Sequence, residues 1–261
     1  MISTLNWLIP ASSALIALVV WGILVVGARR AAIDGASRRR FIARSGAVLL
    51  GWLGAAVALG ALGVFEASSD SVFPTLLLAL VIPIMLGMTA LRRSSVLDAV
   101  LNAVPLPWLA GIQLYRVIGI VFLALYVGDL LPGEFALPAG AGDVVVGLAA
   151  PVVAWMFVKR AQGSGLTLLG WNILGVVDLV IAVATGFLTS PSPIQTLSLD
   201  APNGLITAWP LVLVPAFAVP VSILLHVAVF RKLKSEMSIL AGREFTRTPK
   251  DEGWISRLIT I

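Results

Sequence analysis

Five polar side chains stand out because of where they fall. Gln113, Arg116, Asp143, Asn172 and Asp178 interrupt three consecutive apolar segments between Leu109 and Leu188. A guanidinium and two carboxylates in such surroundings can pair with one another, bind an anionic or zwitterionic solute, or pass on a proton. Two carboxylates could also perform acid–base work, but no activated nucleophile or metal-ligating set accompanies them. Cysteine is absent and histidine occurs once, at His226. That removes disulfides, thiolate sites, bis-histidine haem and multi-histidine zinc. No Gly-x-Ser-x-Gly elbow or phosphate loop occurs. No cofactor or metal is therefore expected, and an enzyme is the least supported class.

The spacing suggests convergence. On a regular α-helix, Gln113, Arg116 and Ile120 share a face at i, i+3 and i+7, with Gly119 beside them. Asn172, Gly175, Asp178, Ala182 and Gly186 form a small and polar stripe on the third segment; Gly140, Asp143, Gly147 and Pro151 form one on the second. Small residues around a carboxylate let a neighbouring helix approach. Arg116 is expected to pair with Asp178 or Asp143. Gly140-Ala-Gly-Asp143 and Gly175-Val-Val-Asp178 echo one another, but the shared stretch is short enough for chance.

The elements that must position these groups are membrane helices. The 261 residues are 59% hydrophobic and 12% charged, against roughly a quarter charged in a soluble domain, and mean hydropathy is +1.02. The expected fold is all-α and polytopic, a single domain over residues 1–230 with seven transmembrane helices. The spans fall at about 5–26, 47–65, 72–91, 108–131, 137–158, 166–188 and 207–230, followed by a basic tail over 231–261. Pro74 fits a first helical turn, whereas Pro83 should bend its helix. Residues 94–104 carry apolar side chains at helical spacing opposite Asp98 and Asn102. They read as an interfacial amphipathic helix or as an extension of the fourth span. The connection from Thr189 to Ile206 is an exposed connector or a lid. Leu233, Met237 and Leu240, then Trp254, Ile255, Leu258 and Ile259, could lie on the membrane surface. Trp7, Trp108 and Trp209 read as interfacial anchors, while Trp21, Trp52, Trp155 and Trp171 are ambiguous. His226 reads as an interfacial hydrogen-bonding residue near the end of the seventh span.

Charge sets the orientation. Of the 18 Lys and Arg residues, all but Arg116 follow spans 1, 3, 5 or 7. The loops after spans 2, 4 and 6 hold Glu66, Asp70, Asp129, Glu134 and Asp200 and no basic residue. The positive-inside rule then puts the N-terminus outside and the C-terminus in the cytoplasm. The same distribution explains the net charge of +5 without a nucleic-acid partner. The basic rim would attract anionic lipid headgroups of the bilayer. Arg116 is the exception, about eight residues into its span and so ~12 Å deep at 1.5 Å per residue.

Seven spans invite comparison with rhodopsins, but Trp209 to Phe230 lacks the lysine a retinal Schiff base needs. Seven-span hydrolases of the ceramidase type need several histidines on zinc, which this chain does not supply. Gln113-Leu-Tyr-Arg116, Gly142-Asp143, Trp171-Asn172, Asp178 and the Pro210 to Pro220 region resemble a family of bacterial seven-helix inner-membrane proteins of unknown function. The resemblance covers roughly the second half and implies a bacterial inner-membrane setting and no activity.

Two functions compete. In one, the five residues form a small-molecule, proton or ion site for binding or transport. In the other, they only lock the bundle, and the chain is a non-catalytic subunit that docks a membrane-protein partner or a second copy. The orientation is directly testable. A reporter fused after Ile261 should behave as cytoplasmic; periplasmic activity would overturn the topology.

Overall fold

The computed structural model describes residues 2–68 and 75–246, with side chains over 3–68 and 75–235. Asp70, Val72 and Pro74, and the side chains expected on the membrane surface from Met237 onward, lie outside the described residues. Among the described residues, seven helices are long and apolar enough to cross a membrane, and the chain is an integral membrane protein. Among the described residues there is no strand.

The first three spans are α1 (Ile2–Arg30), α2 (Gly35–Ala61) and α3 (Thr75–Arg93). The second helix begins well before Ala47, so Arg38, Arg39, Arg40 and Arg44 lie on helix. Asp34 caps it, accepting from the backbone N–H groups of Ala36 and Ser37 at 2.9 Å each. Hydrogen bonding from Ser37 holds the Asp34 carboxyl below its ordinary range. Pro83 lies inside α3, which continues past it.

Residues Ser95–Ala103 form a separate short helix, α4, capped at its start by Ser94. Val100 and Val104 are fully buried, against Gly27, where a side chain would collide with both. At its other end Lys232 donates to the carbonyls of Leu101, Asn102 and Val104. A cation on the last carbonyls of a helix meets both their unpaired lone pairs and the dipole. Arg231 pairs with Asp98 at 3.0 Å on the same helix. The basic end of the seventh span thus staples α4 down.

The fourth span, Leu106–Val127, is composite. It runs as α5 (Leu106–Gly111), an eight-residue 3-10 segment (Ile112–Gly119) and α6 (Ile120–Val127). Spans five and six are α7 (Gly133–Val158) and α8 (Ser164–Thr189). The seventh begins late. Residues 205–212 are occupied by a 3-10 turn and further turns around Gly204 and Pro210, then a π-helical segment, Val214–Ala218, leads into α9 (Val219–Thr246). The span is Val214–Ser235 rather than 207–230. It is the most enclosed of the seven, packed on α3, α5 and α8, with its π-helical start against α1, α2 and α3. Leu233, expected at the membrane surface, is buried in the core instead.

Three of the ambiguous tryptophans tie helices together by donating to backbone carbonyls. Trp21 donates to Ile42, Trp171 to Val146, and Trp52 to Ala216 within the π-helical segment. The last satisfies a carbonyl where the regular ladder is broken. Trp155 is exposed, as are Trp7 and Trp108, and Arg30 lies over the Trp108 ring at 5.1 Å.

Candidate functional site

The 3-10 segment decides which side chains of the fourth span face inward. With 3.0 residues per turn, positions i, i+3 and i+6 align. Gln113, Arg116 and Gly119 are its three buried residues. Ile120, expected on that face at an α-helical spacing, is 55% exposed. Runs of this geometry beyond three or four residues are uncommon. The tight winding coincides with direct backbone contact to α7. A side chain at Gly147 would meet the backbone of Arg116 and Val117, and one at Gly119 would meet Asp143.

Arg116 is 2% exposed, and its guanidinium spans three helices. Nε donates to Asp143 Oδ1 of α7 at 2.7 Å. Nη2 donates to Asp178 Oδ2 of α8 in a short ion pair. Nη1 donates to the Gly175 carbonyl at 3.3 Å and meets His226 Nε2 of α9 at 3.2 Å. Four of the five N–H donors that a guanidinium carries are engaged. The expected choice between Asp143 and Asp178 does not arise, because Arg116 takes both.

His226 is the member that sequence reasoning missed. The late start of the seventh span puts it twelve residues beyond Val214, away from the helix end assigned to it. It is fully buried. Its protonation follows from its neighbours. Asn172 Nδ2 donates to the His226 carbonyl at 3.1 Å, so Asn172 Oδ1 faces the ring and accepts from Nδ1–H at 2.7 Å. Nε2 then carries the lone pair that accepts from Arg116. A second ring proton would point at the guanidinium. The one available signal was Gly175, which clears room for the His226 ring on the stripe that carries Asn172 and Asp178.

Gln113 belongs to a neighbouring layer. It donates to the Ser222 carbonyl at 3.2 Å, while the Tyr115 and Ser222 hydroxyls share a 2.5 Å hydrogen bond. Its Oε1 is buried without a partner among the described residues. The site thus joins Arg116, Asp143, Asn172, Asp178 and His226, with Gln113 one turn of α9 away. Of the stripe predicted on α7, Gly140 and Gly147 are buried and Pro151 faces outward. Three close approaches hold the centre: Gly119 against Asp143, Gly142 against the Asp178 carboxylate, and Gly175 against the His226 imidazole.

The charges do not cancel. One guanidinium faces two carboxylates, and His226 adds none. The centre is neutral only when one carboxylate holds a proton or a further cation is bound. Asp143, with its side chain 15% exposed, also lines an apolar cavity between α3, α6, α7, α8 and the π-helical segment. Its enclosed space is about 50 Å³, room for a few waters, inside a concavity of about 550 Å³ counted to its open mouth.

Residues 73–234 match the family described as a domain of unknown function (DUF8737), and the chain belongs to that family. The matched stretch contains every residue of the centre. No curated protein and no solved structure matches the chain.

The close approaches make a sharp prediction. Gly175→Ala and Gly142→Ala should each lower stability by ~1–3 kcal/mol, the usual range for overpacking a full core. Gly170→Ala on the same α8, with open space around it, should be neutral or mildly stabilising. Thermal unfolding in lipid nanodiscs reads the difference, and equal midpoints for all three would contradict the close packing at the centre.

Proposed function

We propose that this member of the DUF8737 family binds or transports a small molecule across its membrane, using the Asp143–Arg116–Asp178 centre as a proton- or cation-accepting site. One observation carries the reading: a single guanidinium sits between two carboxylates, one of which opens on a cavity. A buried ionisable group is costly in a membrane interior, so an uncompensated carboxylate there serves a changing charge better than it serves stability. The arrangement changes the ligand expected at Arg116. With its donors almost all engaged and its surface closed, the guanidinium has little left for an anion, and binding moves to the Asp143 side. Gln113, Asn172 and His226 hold the centre from the 3-10 segment, α8 and α9. The acidic ends of the spans, at Glu66, Asp129, Glu134 and Asp200, face the outside of a bacterial inner membrane in this reading, with anionic lipid at the arginine-rich rim.

A second reading has its own support. The near-complete pairing of Arg116 suits a polar lock, and glycines 22, 51 and 54 of α1 and α2 have open space around them for a neighbouring helix. Here the chain is an assembly subunit, and the centre never changes its charge.

Infrared difference titration separates the two. A carboxyl that takes up a proton shows a C=O stretch distinct from the carboxylate bands. Asp143 is faced by Arg116 and Tyr115 from the fourth span and by Asp178 from α8, so single substitutions assign the band. The transport reading expects a titrating carboxyl band that is lost in Asp143→Asn or Asp178→Asn. A spectrum with no band that either substitution removes supports the lock and overturns the proton site.

A further inference from the structure

A second, smaller concavity lies beside the first, lined by Phe65, Glu66, Ser68, Thr75, Pro191 and Ser192 among others. The two share Leu76, Phe187, Ser190 and Thr207 in their walls. They adjoin along that shared wall, with Glu66 lining the outer one and Asp143 the inner one. We propose that this vestibule binds a lipophilic monoamine, with its ammonium group against Asp143 and its apolar body between α3, α7 and α8. The proposal rests on the reading of Asp143 as a cation-accepting carboxylate and adds the class of cation.

Charge comes first. Arg116 is shared between two carboxylates, which leaves one negative charge to be met from the cavity side. Among the described residues, no Lys or Arg lines either concavity, while Glu66 lines the outer one and Asp143 the inner one. An anion would enter against both. Chemistry of the walls comes next. Leu80, Phe122, Phe135, Leu179 and Val183 dominate the inner cavity, and its hydroxyls are those of Ser190 and Thr207. Calcium needs six to eight oxygen ligands, and magnesium an octahedral set. One carboxylate and two hydroxyls fall short of either. A sugar or a zwitterion would lose its hydration to apolar walls without replacement. An ammonium group on a hydrocarbon body loses little, because Asp143 takes the charge and the walls take the chain.

Radiolabelled hexylamine and hexanol test this by equilibrium dialysis against the full chain in lipid nanodiscs, with empty nanodiscs as the baseline. The two probes share an apolar body, and an alkylammonium stays charged at neutral pH as lysine does. Wild-type protein should hold hexylamine at least ~10-fold more tightly than hexanol. Asp143→Asn, which leaves Arg116 its bond to Asp178, should bring the two within about twofold of each other. Ala182→Phe, which fills the inner cavity from α8, should remove both. Equal binding of the two probes by wild-type protein overturns the proposal, and so does an amine preference that survives Asp143→Asn or Ala182→Phe. The proton site is judged separately. If the Asp143 carboxyl band titrates and hexylamine shows no preference, the ligand class is wrong and the site stands. If neither is seen, both readings fall.

Discussion

A guanidinium cannot be left unpaired in the middle of an apolar bundle, and much of this structure follows from satisfying one. Arg116 draws a carboxylate from α7, a carboxylate and a carbonyl from α8, and an imidazole from α9. Hydrogen bonds to a charged group contribute about 1.5–3 kcal/mol each, while a buried charge stripped of a partner costs ~3–5 kcal/mol. The four helices are therefore held in one relative arrangement by a single side chain, over and above their apolar packing.

That requirement reaches into the backbone. For Arg116 to face α7, α8 and α9 together with Gln113 and Gly119, the fourth span tightens to three residues per turn over Ile112–Gly119. Glycines 119, 142, 147 and 175 stand wherever a β-carbon would strike a member of the centre or the backbone behind it. The seventh span carries a π-helical segment at its start, and Trp52 reaches across to the Ala216 carbonyl there. Departures from regular helix at two places, both beside the centre or its cavity, fit a region shaped for something other than maximal stability.

Several of these features were legible in the residue types. Apolar runs of membrane-crossing length marked the seven helices. Arg116 was the one basic residue away from a span end, and that isolation pointed to a buried partner. The glycine and asparagine stripe on α8 faced inward as its 3.6-residue period implied. The failures have physical causes. Ile120 was put on the inner face because nothing in Ile112–Gly119 announces a change of period from 3.6 to 3.0; the close contact with α7 imposes it. His226 was put at a membrane edge because the apolar run from Thr207 reads as helix, whereas turns around Gly204 and Pro210 delay the span to Val214. Leu233 was put on the surface for the same reason, since the later start carries the buried part of the helix further along the chain.

The central claim is that Arg116 is bound by both carboxylates at once. Two double-mutant cycles address it in lipid nanodiscs, one of Arg116→Gln with Asp143→Asn and one with Asp178→Asn, each followed by thermal stability. Residues in direct contact show coupling of about 0.5–3 kcal/mol, so both cycles should be non-additive, with each double variant less damaged than the sum of its single changes. Strict additivity in either cycle would mean that the corresponding carboxylate does not hold the guanidinium, and the charge imbalance on which the functional reading rests would no longer exist.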